Sequence, residues 1–78
     1  MVNVAKPHVT RIRAVDQLHR GDEIEARLHL GPHYDDVVIR RGSVQETAPG
    51  IGVVWILDRT SGTRKAIDTH ECSLWRVA

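Results

Sequence analysis

The chain of 78 residues has one cysteine, no phenylalanine, one tyrosine and two tryptophans. A lone cysteine, Cys72, closes no internal disulfide, so packing must hold the fold, as suits a reducing cytoplasm. No apolar run approaches the roughly 20 residues of a membrane-spanning helix, and no signal-peptide pattern is present. A cytoplasmic protein with no membrane partner is therefore expected. Charge of one sign is also missing: 11 Lys and Arg face 10 Asp and Glu, a formal net charge of +1. The two signs are interleaved, which excludes a bulk nucleic-acid magnet and an acidic tail. Repeats and low-complexity tracts are absent too. Arginine greatly outnumbers lysine, and valine and alanine are plentiful, a bias that fits a GC-rich bacterial or phage genome.

What remains is a short chain that buries only roughly 60–65% of its unfolded surface, so its core is thin. Residues 1–8 lack apolar periodicity, and Pro7 restrains its neighbour, so they are expected to be a loose arm before a single domain at 9–78. "VTRIRAV" (9–15) alternates β-branched and basic residues. "DQLHRGD" (16–22) reads as a turn, with Leu18 placed to plug the end of the core. "DEIEARLHL" (22–30) alternates with period two, Ile24, Ala26, Leu28 and Leu30 on one side and Glu23, Glu25, Arg27 and His29 on the other. Helix is the rival for 16–30, since Glu, Ala, Arg and Leu all favour it. Alternation ending at Gly31-Pro32 favours strand.

"GPHYDD" (31–36) is a loop and "VVIRRGSVQET" (37–47) the next strand. Val37 and Ile39 share a face with Val44 only if one extra residue is inserted near Arg41-Gly42, so a bend at Gly42 is predicted. "VVWILD" is a central strand, "RTSG" a turn and "TRKAI" a strand. "DTHECS" is a short turn or a single 3₁₀ turn, and "LWRV" closes the chain. Short strands joined by Gly-bearing turns predict an all-β fold, a small antiparallel barrel of five to six strands.

The succession "GDEI", "RRGSV", "VVWILD" with its turn "RTSG", and "ECSLWRV" resembles the SH3-like small barrels over about residues 21–78. That resemblance implies a long first loop, a bent second strand, a hairpin and a closing strand, with "VTRIRAV" added in front. Arg40, Gly42 and Val44 also look like the R-x-G-x-V of KOW-type barrels and of small actinobacterial domains of unknown function. The clustered aromatics of polyproline-binding SH3 domains are missing. Small barrels also host many functions.

Chemistry-bearing groups are few. "DRTSGTRK" has one glycine and no helix behind it, so it reads as a hairpin tip with Gly62 left-handed, not a phosphate loop. His29, His33, His70 and Cys72 are zinc-ligand types, but only His70 and Cys72 share one side of an extended segment. No metal or other cofactor is expected. Asp35-Asp36 beside His33 and Tyr34 is the densest acid–base group, on a loop expected to be polar, and Ser43, Ser61 and Ser73 lack a nucleophile's setting. The expectation is a non-enzymatic protein without a small-molecule substrate.

Two partner classes stay open. A nucleic-acid-associated barrel would use Arg11, Arg13, Arg40, Arg41, Arg59, Arg64 and Lys65, with Tyr34 the only loop aromatic and Trp55 and Trp75 expected in the core. The other class starts from "VVWIL" and "VVI", which break the alternation of a free-standing strand. If Val53, Trp55 and Leu57 point inward, Val54 and Ile56 point outward with Val37 or Val38 nearby. Either the N-terminal strand covers that face, or Tyr34, Val38, Val54 and Ile56 form an interface for a second copy of the chain or another protein. A protein-interaction or assembly module is the favoured reading.

Overall fold

Period-two patterning prevails over helix propensity in the first half of the chain. The computed structural model describes residues 9–77; the arm expected at residues 1–8 lies outside them. Its strands are β1 (Val9–Ile12), β2 (Glu23–Leu28), β3 (Val37–Ala48), β4 (Val53–Asp58), β5 (Arg64–Asp68) and β6 (Ser73–Val77). Single 3₁₀ turns lie at Val15–Gln17 and Pro49–Ile51. The fold is all-β, one antiparallel sheet in the order β1-β6-β2-β3-β4-β5.

The sheet is open, since β1 and β5 are its edges and do not pair with each other. Every strand nevertheless sends a side chain into one cluster: Ile12, Ile24 and Ala26, Val44, Val54 and Ile56, Ile67, and Leu74. A single sheet whose strands all reach one core must curve around it. Leu18, from the turn after β1, is buried in the same cluster. There Gln17 Oε1 accepts hydrogen bonds from the Arg13 and Ala14 amides at 3.0 and 3.1 Å, which holds the entry to that turn. β1 extends the sheet beside β6 and covers no second face.

β3 bends by two irregularities, neither at the expected position. Against β2 the register runs from Ala26↔Arg40 to Arg27↔Val38, leaving Ile39 as the extra residue. Against β4 it runs from Val44↔Ile56 to Glu46↔Trp55, leaving Gln45. Gly42 lies between them and is needed for a different reason. A Cβ there would collide with the backbone carbonyl of Leu57 on the neighbouring strand.

The parity expected for β4 is reversed. Val54 and Ile56 are 0% exposed, whereas Trp55 is half-buried and Leu57 exposed. Side chains directly opposite one another share a face. Val54 lies opposite Ile67, and Ile56 opposite Val44, both core residues. Trp55 lies opposite Glu46 and Ala66, on the outer side. Trp75 is likewise outside the core cluster, opposite Arg11 and Glu25. Both tryptophans instead carry guanidinium groups: Arg27 at 4.4 Å and Arg11 at 5.8 Å from the Trp75 ring centre, and Arg64 at 4.8 Å from that of Trp55.

Candidate functional site

Beyond the core, β2 and β3 continue as a hairpin arm. β6 leaves β2 at the Arg27↔Ser73 pair, and β4 joins β3 only at Gly42↔Asp58. Among the described residues, 28–40 therefore pair only within their own hairpin. Val37, Val38 and Ile39 are 43%, 39% and 45% exposed, in sequence. Three consecutive exposed apolar residues require a strand with no layer closed over either face. Leu30 and Tyr34, on the connecting loop, are exposed as well. Among the described residues, no strand pairs the side of Val37–Arg40 that faces away from β2. The nearest backbone bond on that side is donated by the Arg59 amide to the Arg41 carbonyl, at 2.8 Å. The arm thus presents an apolar face and an unused row of backbone donors and acceptors.

Of the expected interface residues, Tyr34 and Val38 lie on this surface and Val54 and Ile56 do not. The latter two are core, so the expected surface formed by these four residues does not exist. Leu30, Val37 and Ile39 take their place.

Four of the six arginines proposed for nucleic acid are drawn into ion pairs. Arg40 Nη1 lies 3.1 Å from Asp58 Oδ2, Arg41 Nη2 2.8 Å from Glu25 Oε1, Arg59 Nη2 2.6 Å from Glu23 Oε2, and Arg64 Nη2 2.7 Å from Glu46 Oε2. Arg11 stacks on Trp75. Arg13 is exposed and Lys65 half-buried, on opposite sides of the chain order, at the end of β1 and in β5. Glu25, itself buried, also accepts from Arg27 Nη2 at 2.8 Å. The cations are dispersed, Arg40 and Lys65 on the face of Ala26 and Ile56, Arg41 and Arg64 on the other, and most are locally neutralised, not gathered into one stripe.

Asp58 is the most enclosed of these carboxylates, its side chain 3% exposed. Its Oδ1 accepts from the Ser61 amide at 3.2 Å and the Thr60 amide at 2.8 Å, and Arg40 donates to Oδ2. The Ser61 and Thr60 amides, with Arg40 behind them, hold the carboxyl below its usual range against the opposing effect of burial. This carboxylate knots the β4–β5 hairpin. The Gly62 amide bonds the Asp58 carbonyl at 2.8 Å, and Gly62 has a φ of +69°. "RTSG" is therefore a hairpin tip, as its turn chemistry predicts.

The zinc-type residues fall around the β5–β6 turn and the base of the arm. His70 Nδ1 lies 3.0 Å from Asp68 Oδ1, and His29 Nδ1 2.8 Å from Asp36 Oδ1. The His70 amide and then its ring hold the Asp68 carboxyl below its usual range. The half-buried Cys72 thiol is raised by desolvation first and by the charges of Asp68 and Glu71 second. His29, Asp36, His70 and Cys72 line one open cleft. Among the described residues, no three His, Cys, Asp or Glu side chains converge as a metal-binding group. His33, Tyr34 and Asp35 project from the arm's loop, all exposed.

No family model, curated protein or solved structure matches the chain. Among the described residues, no helix is long and apolar enough to cross a membrane.

Leu30 and Ile39 were missed because an apolar residue in an expected strand is ordinarily core, whereas Val37 was named beside Val38 as a neighbour of the outward face. The one available signal was the unalternating "VVI" next to a polar loop.

Proposed function

We propose that the protein is a non-enzymatic interaction or assembly module whose partner surface is the β2–β3 arm. The exposure of Val37, Val38 and Ile39 in sequence carries this reading. In a domain with so thin a core, apolar residues left in water at one place are not required for folding and favour a partner that covers them. The vacant strand edge beside them supports recognition through backbone hydrogen bonds. We read the fold as an SH3-like variant on the same footing: a long loop between β2 and β3, a bent β3, the β4–β5 hairpin and a closing β6, with β1 added. Nucleic acid is the second reading. It is less favoured because Arg40, Arg41, Arg59 and Arg64 already face carboxylates, leaving few counterion-releasing charges.

The test is capture from the native host with the wild-type chain and with Val38→Glu, alongside gel shifts on DNA and RNA at low salt. A protein captured by the wild type and lost with Val38→Glu supports the arm. Capture that is indifferent to Val38→Glu, or a gel shift abolished by Arg13→Ala with Lys65→Ala, overturns it.

A further inference from the structure

The segment that forms the vacant edge reads "DDVVIRR", residues 35–41. It is acidic, then apolar, then basic, and about Val38 it is antisymmetric in charge. Laid antiparallel on a second copy with Val38 opposite Val38, each position meets its complement. Val37 meets Ile39 and Asp36 meets Arg40, and just beyond the paired residues Asp35 approaches Arg41 through side chains only, since the Arg41 carbonyl already accepts from the Arg59 amide. A shift of one residue either way spoils part of the match, setting Asp36 against Ile39 or Val37 against Arg40. A two-fold axis through Val38 is therefore the register in which apolar residues face apolar ones and every charge faces its opposite.

The geometry leaves this segment available. The outer side of Val37–Arg40 is unpaired among the described residues, and their side chains are exposed. Arg40 and Arg41 each give one terminal nitrogen to Asp58 and Glu25 respectively. A guanidinium carries five donors in a fixed fork, so both keep donors for a second carboxylate. Asp36 faces His29 in an exposed pair, and Asp35 is exposed. A closed two-fold contact also explains how a strand edge stays out of open-ended aggregation, since each copy's edge is used by the other.

We infer that the chain forms a two-fold homodimer by antiparallel pairing of the Val37–Arg40 edges of β3, in register on Val38. This rests on the arm being the partner surface and names that partner as a second copy.

The test is sedimentation velocity on the full chain at roughly 100 μM, above the micromolar range in which weak interfaces associate, with folding followed by circular dichroism. The wild type is expected to be a dimer. Asp35→Arg alone sets like charges opposite one another at both symmetry-related positions, as does Arg41→Asp alone. Each is expected to weaken the dimer by about tenfold. An equimolar mixture of the two variants restores opposite charges at both positions and is expected to recover dimer. Asp35→Arg touches no recorded ion pair, so its fold should be unchanged even where Arg41→Asp, losing Glu25, is less stable. A folded wild type that is monomeric at this concentration overturns self-pairing, while capture of another protein lost with Val38→Glu would still stand for the arm. A dimer unaffected by both Val38→Glu and Asp35→Arg overturns the arm as well. A dimer lost with Val38→Glu but not rescued by mixing overturns the register and the proposal with it.

Discussion

Two stretches of nearly identical chemistry meet opposite fates. In "VVWIL" of β4, Val54 and Ile56 are fully buried; in "VVI" of β3, Val37, Val38 and Ile39 are all exposed. Hydrophobicity does not separate them, because valine and isoleucine occur in both. Neighbours do. β4 is flanked by β3 on one side and β5 on the other, and its core face meets Val44 and Ile67. Among the described residues, Val37–Arg40 has β2 on one side only, beyond the reach of β6 and β4. A residue becomes core when a layer closes over it, and among the described residues the arm has none.

The sharpest way to break this contrast is to empty both sites of side chain. Ile56→Ala is expected to cost about 2–5 kcal/mol through lost burial and a residual cavity. Ile39→Ala should stay within about 0.5 kcal/mol. Urea denaturation of both variants checks it, and equal costs would mean that the arm is packed. Ile56→Glu is expected to unfold the chain, since a carboxylate cannot be left unpaired at that depth.

Gly42→Ala comes next, at the junction of arm and body. Its Cβ would meet backbone, not the yielding end of a side chain, so a loss of about 1–3 kcal/mol is expected. A thermal midpoint equal to wild type would show that β3 can shift there.

Acid should weaken the body at Asp58. Asp58 has its folded pKa lowered by the Ser61 and Thr60 amides and Arg40. Its contribution is therefore fully present above the unfolded carboxylate value of about 3.9 and lost as pH falls through the lower folded one. Stability should decline with acid over that window, more steeply in the wild type than in Asp58→Asn, as read from urea midpoints against pH. Parallel curves would remove Asp58 from the acid limb.

The smallest effect is local. At neutral pH and dilute concentration, the amides of Val37–Ile39 should exchange with solvent faster than those of Val54–Ile56, because opening the arm uncovers little apolar surface. Equal protection in dilute monomer would contradict the distinction between arm and body.

Much of the fold was legible in the sequence. Alternation across 22–30 marked β2, Gly62 marked the β4–β5 hairpin, and glycine-bearing loops separated the other strands except β5 and β6, which the polar "DTHECS" divides. The bend of β3 was legible as well, through the parity of Val37, Ile39 and Val44. Its position was not: parity shows that a residue is inserted but not which, and the structure makes Ile39 itself the extra residue and adds another, Gln45, beyond Val44. The candidate site was half legible. Tyr34 and Val38 are on the arm, but Val54 and Ile56 are not. A run of five apolar residues looks the same on both faces, so its pattern holds no preference between them. The arginines were visible individually, while their carboxylate partners, some distant in sequence (Arg40 and Asp58, Arg64 and Glu46), were not.

The sequence by itself determined an all-β chain, because period-two alternation and turn chemistry are local properties that each segment carries with it. Only the tertiary structure decided which side of β4 is interior and which apolar strand stays in water. Both depend on how many neighbours a strand acquires, and strand pairing joins residues far apart along the chain.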